Sequence, residues 1–437
     1  MKITVVGTGH VGLVSAGALA SWGHEVMGMD DDHDKIAKLQ AGDMPFFEPG
    51  LADLVREQVA AGRLRFTTDA GESTRHAEVL FVCVGTPSLP GGGPNLSYVE
   101  AVGRRVAALA DHDLVVVEKS TVPAQTGERL REIIELEQSL HELGGRISVA
   151  SSPEFLRQGS AVQDTLYPDR IVIGYEDEWA GERLREVFAT VVGETGCPLV
   201  ETDVATAELI KHASNGYLAM RISYVNNLAL LCERVGADVE TVTAGMGHDD
   251  RIGPSFLKAG IGYGGSCFPK DLDAFIYLNE ELGRDATLLR SVRDTNMAMR
   301  AHVIEKLRQR LWNFDEKTIT ILGAAFKPGT DDTREAPGLH IAGQLRDEGA
   351  TVRIYDPVVP ELPAWAGDGL TLVSDLDEAL SGAHAALVAT EWPEVVAITP
   401  EQLRDTMAYP IVVDGRNVFD SATMRAAGIR YESIGRP

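Results

Sequence analysis

The stretch KITVVGTGHVG, Lys2 to Gly12, constrains this chain more than any other. Lys2 to Val6 is a short β-branched run and reads as a strand. Gly7, Gly9 and Gly12 follow as GxGxxG, and a helical pattern runs on through Leu19 to about Trp22. A second strand, His24 to Met29, ends at Asp30. Strand, tight turn and helix in immediate succession imply a parallel α/β unit. Gly7 allows the turn, Gly9 lets a pyrophosphate approach the backbone, and Gly12 lets helix and strand pack closely. The helix N-terminus offers amide donors to phosphate. Asp30 lies close to the ~20 residues further on where an acid accepts from a ribose hydroxyl. An acid there, with Asp31, Asp32 and Asp34 beside it, favours NAD over NADP.

Further strands are expected at Val79 to Val84, Leu114 to Glu118 and Ile147 to Ala150. VGTP, Val84 to Pro87, and KSTVP, Lys119 to Pro123, then fall at carboxyl ends of strands, where open α/β sheets bind ligands. Each also suits ordinary turn chemistry. The chain repeats this plan loosely. Strands are expected at Lys317 to Leu322, Thr351 to Asp356, 385 to 390 and Val412 to Arg416, without a second GxGxxG. Between the two parts, Asp203 to about Val235 reads as one long helix, with Leu209, Ile210, Ala213, Tyr217, Met220, Tyr224 and Leu228 at helical spacing. Such a helix suits a spacer and an association surface. Asn215-Gly216 would mark a hairpin elsewhere, but the flanking period places it inside the helix. The expected fold is α/β: two Rossmann-like doubly wound domains joined by a long central helix. The boundaries are 1–202 for an NAD-binding domain, 203–300 for a central helical dimerisation domain, and 301–437 for the second Rossmann-like domain.

Bulk properties narrow the partners. The 437 residues exceed one ordinary core, and the composition is 44% hydrophobic and 24% charged. A net charge of −25 argues against nucleic acid, which needs a basic footprint. No apolar run reaches the ~18 residues of a membrane span. Met1 to Trp22 resembles an export signal faintly, but Gly7, Gly9, His10 and Gly12 break it, so a cytoplasmic protein is expected. Cys83, Cys197, Cys232 and Cys267 are widely spaced, as for free thiols in a reducing compartment. The histidines do not cluster, and no metal is expected.

One cysteine is placed differently from the rest. GGSCFPKD, Gly264 to Asp271, sets Cys267 behind a flexible corner, with Pro269 in the first turn of a following helix. A helix N-terminus stabilises a thiolate. The alternative is a buried inert cysteine, the expected state of the other three. In LIKHASN, Lys211 and Asn215 stand one turn apart on one helix face. A lysine on a helix is otherwise a surface charge. In SSPEFLRQGSA, Glu154 follows a strand, where it could also be a helix-start acid. A thiolate beside a nicotinamide suggests oxidation of an alcohol past the aldehyde to the acid, because the second step needs a covalent handle.

With GTGHVG, VGTP, KSTVP, SPEFLR, LIKHASN, RIGPSFLKAGIGYGGSCFPKD, GAAFKPGTDDTRE and DGRNVFD in place, the chain resembles the UDP-glucose 6-dehydrogenases of the UDP-glucose/GDP-mannose dehydrogenase family over essentially its whole length. The resemblance implies NAD-dependent four-electron oxidation of UDP-glucose to UDP-glucuronate through a cysteine thiohemiacetal and thioester. By position, Cys267 would be the nucleophile, Lys211 and Asn215 would stabilise oxyanions, and Asp271 would organise water and the lysine. Thr121 and Glu154 would hold water or move protons. Gly7, Gly9, His10, Val11, Gly12, Asp30, Lys35, Thr86, Thr121, Gln158 and Arg334 correspond to cofactor contacts. Glu154, Phe155, Leu156, Lys211, Asn215, Phe256, Lys258, Gly264, Phe326, Lys327 and Arg416 correspond to nucleotide-sugar contacts. Arg251 corresponds to a residue that reaches substrate in a neighbouring subunit, so a homodimer or higher homo-oligomer built on the long helix is implied.

Three positions depart from the family pattern. Gln158 stands where many members carry glutamate, and an amide cannot act as a base, which leaves it a cofactor or positioning role. His10 replaces a more usual tyrosine, and Tyr263 a common phenylalanine. Four rival functions remain, of which a UDP-N-acetylhexosamine dehydrogenase is disfavoured because the resemblance implies that the lysine of FPKD, here Lys270, is usually absent there. GDP-mannose 6-dehydrogenase keeps the mechanism and changes the sugar. A two-electron β-hydroxyacid dehydrogenase would need neither Cys267 nor the C-terminal domain. A non-catalytic NAD or nucleotide-sugar sensor would bind without turnover.

Overall fold

The computed structural model describes residues 1–141 and 144–437. They form two compact units: Met1–Ser214 with Asp273–Gly283, and Asn215–Leu272 with Arg284–Pro437.

The first unit is built on eight strands: β1 (Lys2–Val6), β2 (Glu25–Met29), β3 (Leu64–Thr67), β4 (Val79–Val82), β5 (Leu114–Glu118), β6 (Ile147–Ser151), β7 (Ile171–Tyr175) and β8 (Leu199–Thr202). Their order is β3-β2-β1-β4-β5-β6-β7-β8. All pairs are parallel except β6 with β7. β4 and β5 are buried at every position, as parallel strands covered on both faces must be. One face packs Leu13, Leu19, Leu184 and Phe188, and the other packs Val99, Val106, Leu130 and Ile134. Strand order reverses between β1 and β4, and Val6 pairs with both Met29 and Val82 there. That crevice is where this architecture takes its ligand. β4 stops two residues before the expected Val84, because Cys83 and Val84 already belong to the loop that Ser120 Oγ fastens by donating to the Val84 carbonyl at 2.7 Å.

The second unit repeats the plan with β9 (Thr318–Leu322), β10 (Thr351–Tyr355), β11 (Leu370–Val373), β12 (Ala385–Val388), β13 (Ile411–Asp414) and β14 (Arg430–Ser433), in the order β11-β10-β9-β12-β13-β14 and parallel throughout. The likeness reaches the caps. Asp69 accepts the Gly71 and Glu72 amides ahead of β4, and Asp375 accepts the Glu378 amide ahead of β12. Asp356 ends β10 as Asp30 ends β2, but Asp356 is buried and already accepts from Ala324 N–H, Ala325 N–H and Trp392 Nε1.

The long helix runs Val204–Val235, opened by Asp203, which accepts the Thr206 amide. The expected apolar series does not mark its buried face. Leu209, Ala213, Tyr217 and Tyr224 are exposed, whereas Glu208, Lys211, His212, Asn215, Ser223 and Asn226 are buried. Gly216 sits inside the helix and is buried. Two inward polar side chains in the second unit find specific backbone partners. Ser223 Oγ donates to the Val292 carbonyl, and Asn226 Oδ1 accepts the Gly260 amide. Among the described residues no helix is long and apolar enough to cross a membrane.

Candidate active site

In the first unit the glycine turn follows β1. Gly7 has φ +94°, and a Cβ there would lie 2.6 Å from the Cys83 carbonyl oxygen. A Cβ on Gly12 would lie 1.8 Å from the Gly7 carbonyl oxygen, so helix and strand meet only because it is absent. A Cβ on Gly9 would meet nothing within 4 Å. The opening above Gly9, beside the amides that begin helix His10–Ser21, fits a pyrophosphate. Asp30 Oδ2 accepts from Thr8 N–H, Thr8 Oγ1 and Lys35 Nζ at 2.8, 2.9 and 2.9 Å. Burial pushes the Asp30 carboxyl up, but these bonds and the Asp32 amide outweigh it and hold it below the usual range. It is therefore an anionic acceptor at the end of β2. His10 stacks on Phe46 at 3.8 Å, which gives a ring at this position its packing partner. Val11 packs against the core beneath.

Two loops at the crevice are tied together, because Thr86 Oγ1 donates to the Thr121 carbonyl at 2.9 Å. Beside them, Glu154 and Lys211 form a buried ion pair at 2.9 Å, with side chains 5% and 4% exposed. The second Glu154 oxygen accepts the Leu156 amide at 2.9 Å. The Phe155 ring lies 5.6 Å from Lys211 Nζ and carries the Arg170 guanidinium at 3.8 Å. Gln158 is buried in the same loop. The end of that loop hangs on Glu48, whose carboxylate accepts the Gly159 and Ala161 amides, both at 2.8 Å. Sequence reasoning missed Glu48, because an acid 111 positions from the amides it accepts carries no local signal.

In the second unit Cys267 stands directly before helix Phe268–Glu281 and is half-buried, unlike Cys83, Cys197 and Cys232, which are buried. Burial pushes the Cys83 thiol up to about 12, which leaves it inert. The Cys267 carbonyl accepts the Asp271 amide, so the residue forms the first turn's cap, and Ser266 Oγ lies 3.6 Å from its sulfur. Asp271 is 1% exposed; it accepts from Asn215 Nδ2 at 2.6 Å and pairs with Lys270 at 2.7 Å. Arg334 binds both oxygens of Asp332, is within electrostatic reach of Cys267, and its carbonyl accepts the Gly265 amide.

The remaining expected residues of this unit divide. A Cβ on Gly264 would lie 2.3 Å from the Glu335 carbonyl oxygen, so that corner is closed by backbone. Phe256, at φ +60°, packs its ring 6.3 Å from Phe268. Lys327 lies 5.6 Å over Phe326, and Lys258 is exposed. Arg251 is 89% exposed and pairs with Asp249. Arg416 donates to the carbonyls of Ala389, Gly262 and Phe326, so it clamps the glycine-rich loop and the Phe326 loop to the end of β12. Among the described residues no group of His, Cys, Asp and Glu could hold a metal ion.

Known proteins resemble this chain over its whole length. Residues 1–192 match the NAD binding domain of the UDP-glucose/GDP-mannose dehydrogenase family, 205–298 its central domain, and 320–421 its UDP binding domain. The chain is 42% identical over 437 residues to UDP-glucose 6-dehydrogenase YwqF of Bacillus subtilis (strain 168), covering 100% of this chain and 98% of that protein. It is 41% identical over 446 residues to the UDP-glucose 6-dehydrogenase of Pseudomonas aeruginosa, covering 100% and 98%. A UDP-glucose dehydrogenase structure from Pyrobaculum islandicum superposes with a TM-score of 0.91 at 37% identity, covering 100% and 98%. The chain belongs to the UDP-glucose/GDP-mannose dehydrogenase family, NAD-dependent oxidoreductases that act on nucleotide sugars.

Proposed function

We propose that the chain oxidises UDP-glucose to UDP-glucuronate, with Cys267 holding the sugar carbon between two oxidations. The observation that carries this reading is the contrast among the cysteines: three are buried, and the fourth caps a helix N-terminus beside the buried Asn215–Asp271 pair and half-buried Lys270. NAD held by the glycine turn and Asp30 would supply the hydride acceptor, one NAD for each of the two oxidations. The C6 hydroxymethyl group would first pass its hydroxyl proton to the water held by Thr121 and Glu154 and its hydride to the nicotinamide, which leaves the aldehyde. The Cys267 thiolate adds to the aldehyde carbon, and Lys211 and Asn215 stabilise the oxyanion of the thiohemiacetal. Loss of the second hydride leaves a thioester. Water, held by Thr121 and Glu154 and organised by Asp271, displaces the thiolate and releases the carboxylate. Glu154 fixes Lys211 through the ion pair already formed, and Gln158 positions without acting as a base. Lys35, Thr86 and Arg334 serve the cofactor, and Phe256, Lys258, Phe326, Lys327 and Arg416 serve the nucleotide sugar.

We further propose a homodimer built on the segment 203–300. Tyr217, Tyr224 and Leu231 are 54%, 53% and 57% exposed at seven-residue spacing on the long helix, an apolar stripe that suits a second copy. Exposed Arg251 suits a reach to the neighbouring substrate.

The decisive experiment is NADH yield per limiting UDP-glucose, with GDP-mannose in parallel. Two NADH per UDP-glucose are expected. One would demote Cys267 to a bystander. None with UDP-glucose but two with GDP-mannose would keep the mechanism and change the sugar. Cys267→Ser is expected to abolish complete oxidation while NAD binding stays near normal, and equal loss of NAD binding would make the cysteine structural.

A further inference from the structure

Two carboxyl groups outside the reacting set meet in the first unit, with no cation paired to either among the described residues. Glu118 is the last residue of β5 and 1% exposed, and Glu208 stands on the long helix and is 2% exposed. Glu208 accepts the Gln125 amide at 2.7 Å and the Gly127 amide at 2.8 Å, so it satisfies donors at the N-terminus of helix Thr126–His141. Neither oxygen of Glu118 meets an ordinary donor, and the group it faces is the Glu208 carboxyl. A Cβ on Gly127 would meet Val204 Cγ1 at 2.4 Å and would lie 3.1 Å from Glu118 Oε2 and 3.4 Å from Glu208 Oε1, so both carboxyls border the same spot beside this glycine. Two buried carboxylates bordering one spot repel strongly when both are ionised, but one shared proton turns the repulsion into a hydrogen bond. Glu118, lacking other donors, holds that proton and donates it. Glu208, already accepting amides, stays the anion.

Between these anchors runs the segment 119–127. Lys119 Nζ donates to the Ser152 carbonyl, Thr121 is tied to Thr86, and the Val122 carbonyl accepts from His212 Nε2 at 2.8 Å. His212 and Glu208 flank Lys211 on the long helix, so Thr121 and Lys211 share one frame. The nearby charges are committed elsewhere: Lys119 interacts with Cys83, Glu154 and Lys211, and Lys211 pairs with Glu154.

We propose that Glu118 and Glu208 are positioning residues whose shared proton fastens the Thr121 segment to the helix that carries Lys211. The part that concerns catalysis rests on the function proposed above. Burial raises both carboxyls above the usual range, in accord with a proton retained at neutral pH. For raised carboxyls the sign is fixed: the fastening is complete at low pH and is lost as pH rises through the folded values. Turnover then falls on the alkaline side because the segment comes loose.

Glu118→Gln tests this, since its amide donates to Glu208 at every pH. It is expected to retain turnover near neutrality and to move the alkaline limb of kcat upward by at least about one unit. Glu118→Leu, which cannot donate, is expected to lose turnover at all pH values, so the amide rescues what the alkyl side chain does not. Hydrogen exchange in 120–127, corrected for intrinsic base catalysis, should rise with pH in the wild type and not in Glu118→Gln. Exchange needs no turnover, so it decides the proposal even if the substrate assignment fails. Superimposable kcat profiles with pH-independent exchange would overturn it. Should Glu118→Gln not fold, infrared spectroscopy of the wild type decides: a protonated-carboxyl band must be present at neutral pH and must vanish together with protection of 120–127. Its absence at neutral pH overturns the proposal.

Discussion

Gly9 and Gly12 stand in one motif for different physical reasons, and the difference can be measured. A methyl on Gly12 would overlap the Gly7 carbonyl oxygen, whereas a methyl on Gly9 would enter open space. Gly9 has φ −74°, so alanine is not strained there. Gly12→Ala is expected to destabilise the protein by at least about 3 kcal/mol, because backbone must move. Gly9→Ala is expected to cost under about 1 kcal/mol of stability yet weaken NAD binding at least about tenfold, because the methyl occupies the phosphate's place. Thermal unfolding and NAD titration of the two variants check this, and equal destabilisation by both would sink the distinction. At this scale the motif glycines, Asp30 and Cys267 were legible because each sits in a local pattern with a fixed chemical meaning. Glu48, Glu118 and Glu208 were not. Each acts through backbone amides or a carboxyl that the fold brings from far along the chain, and an acid on a helix reads the same whether it faces water or a buried partner.

The long helix shows where periodicity misleads. Its length and limits were legible, since Val204–Val235 carries no proline and opens on a capping aspartate. Its faces were not, because the inward side is lined by Glu208, Lys211, Asn215, Ser223 and Asn226, and Tyr217, Tyr224 and Leu231 are left outside. Its last turn carries a group with a clear pH signature. Glu233 pairs with His302 Nε2 and Lys306 Nζ, both at 2.9 Å, and accepts the Gly435 amide at 2.9 Å, so it joins this helix to helix Thr287–Leu311 and the chain's end. Burial pushes its carboxyl up, but these partners outweigh it and bring it from 4.5 down to about 2. A depressed carboxyl contributes stability above its unfolded value and loses it as pH falls through the folded value. The second unit should therefore weaken between about pH 4.5 and pH 2, with Glu233 accounting for on the order of 2–3 kcal/mol. Glu233→Gln is expected to be less stable at pH 6 and to show a smaller further loss at pH 3 by urea unfolding. An unchanged pH 6 to pH 3 difference would remove Glu233 from the account.

On the scale of the whole chain the dominant quantity is charge. With 65 acidic against 40 basic residues and a net −25, the folded surface repels itself. Many of its basic groups are already spent in local pairs, such as Arg105 with Asp31, Arg157 with Asp164 and Arg185 with Glu201, so the excess acids face the solvent with little compensation. Exposed pairs of this kind contribute only ~0–1 kcal/mol each, and salt screens them as it screens the repulsion. The repulsion is the sum over many more charges and acts over longer distances, so it is the larger loss on screening. Raising ionic strength from about 0.01 to 0.15 M shortens the Debye length from ~30 to ~8 Å, and the folded state should gain stability. The same field acts on ligands. NAD and a nucleotide diphosphate sugar are anions, and they approach an anionic protein against its potential. Their association rates should therefore rise with salt, the reverse of a basic binding protein. Tm and stopped-flow NAD association measured across that range check both statements together. A Tm that falls with salt while the association rate rises would place the stabilising balance in the ion pairs rather than in relief of the net charge.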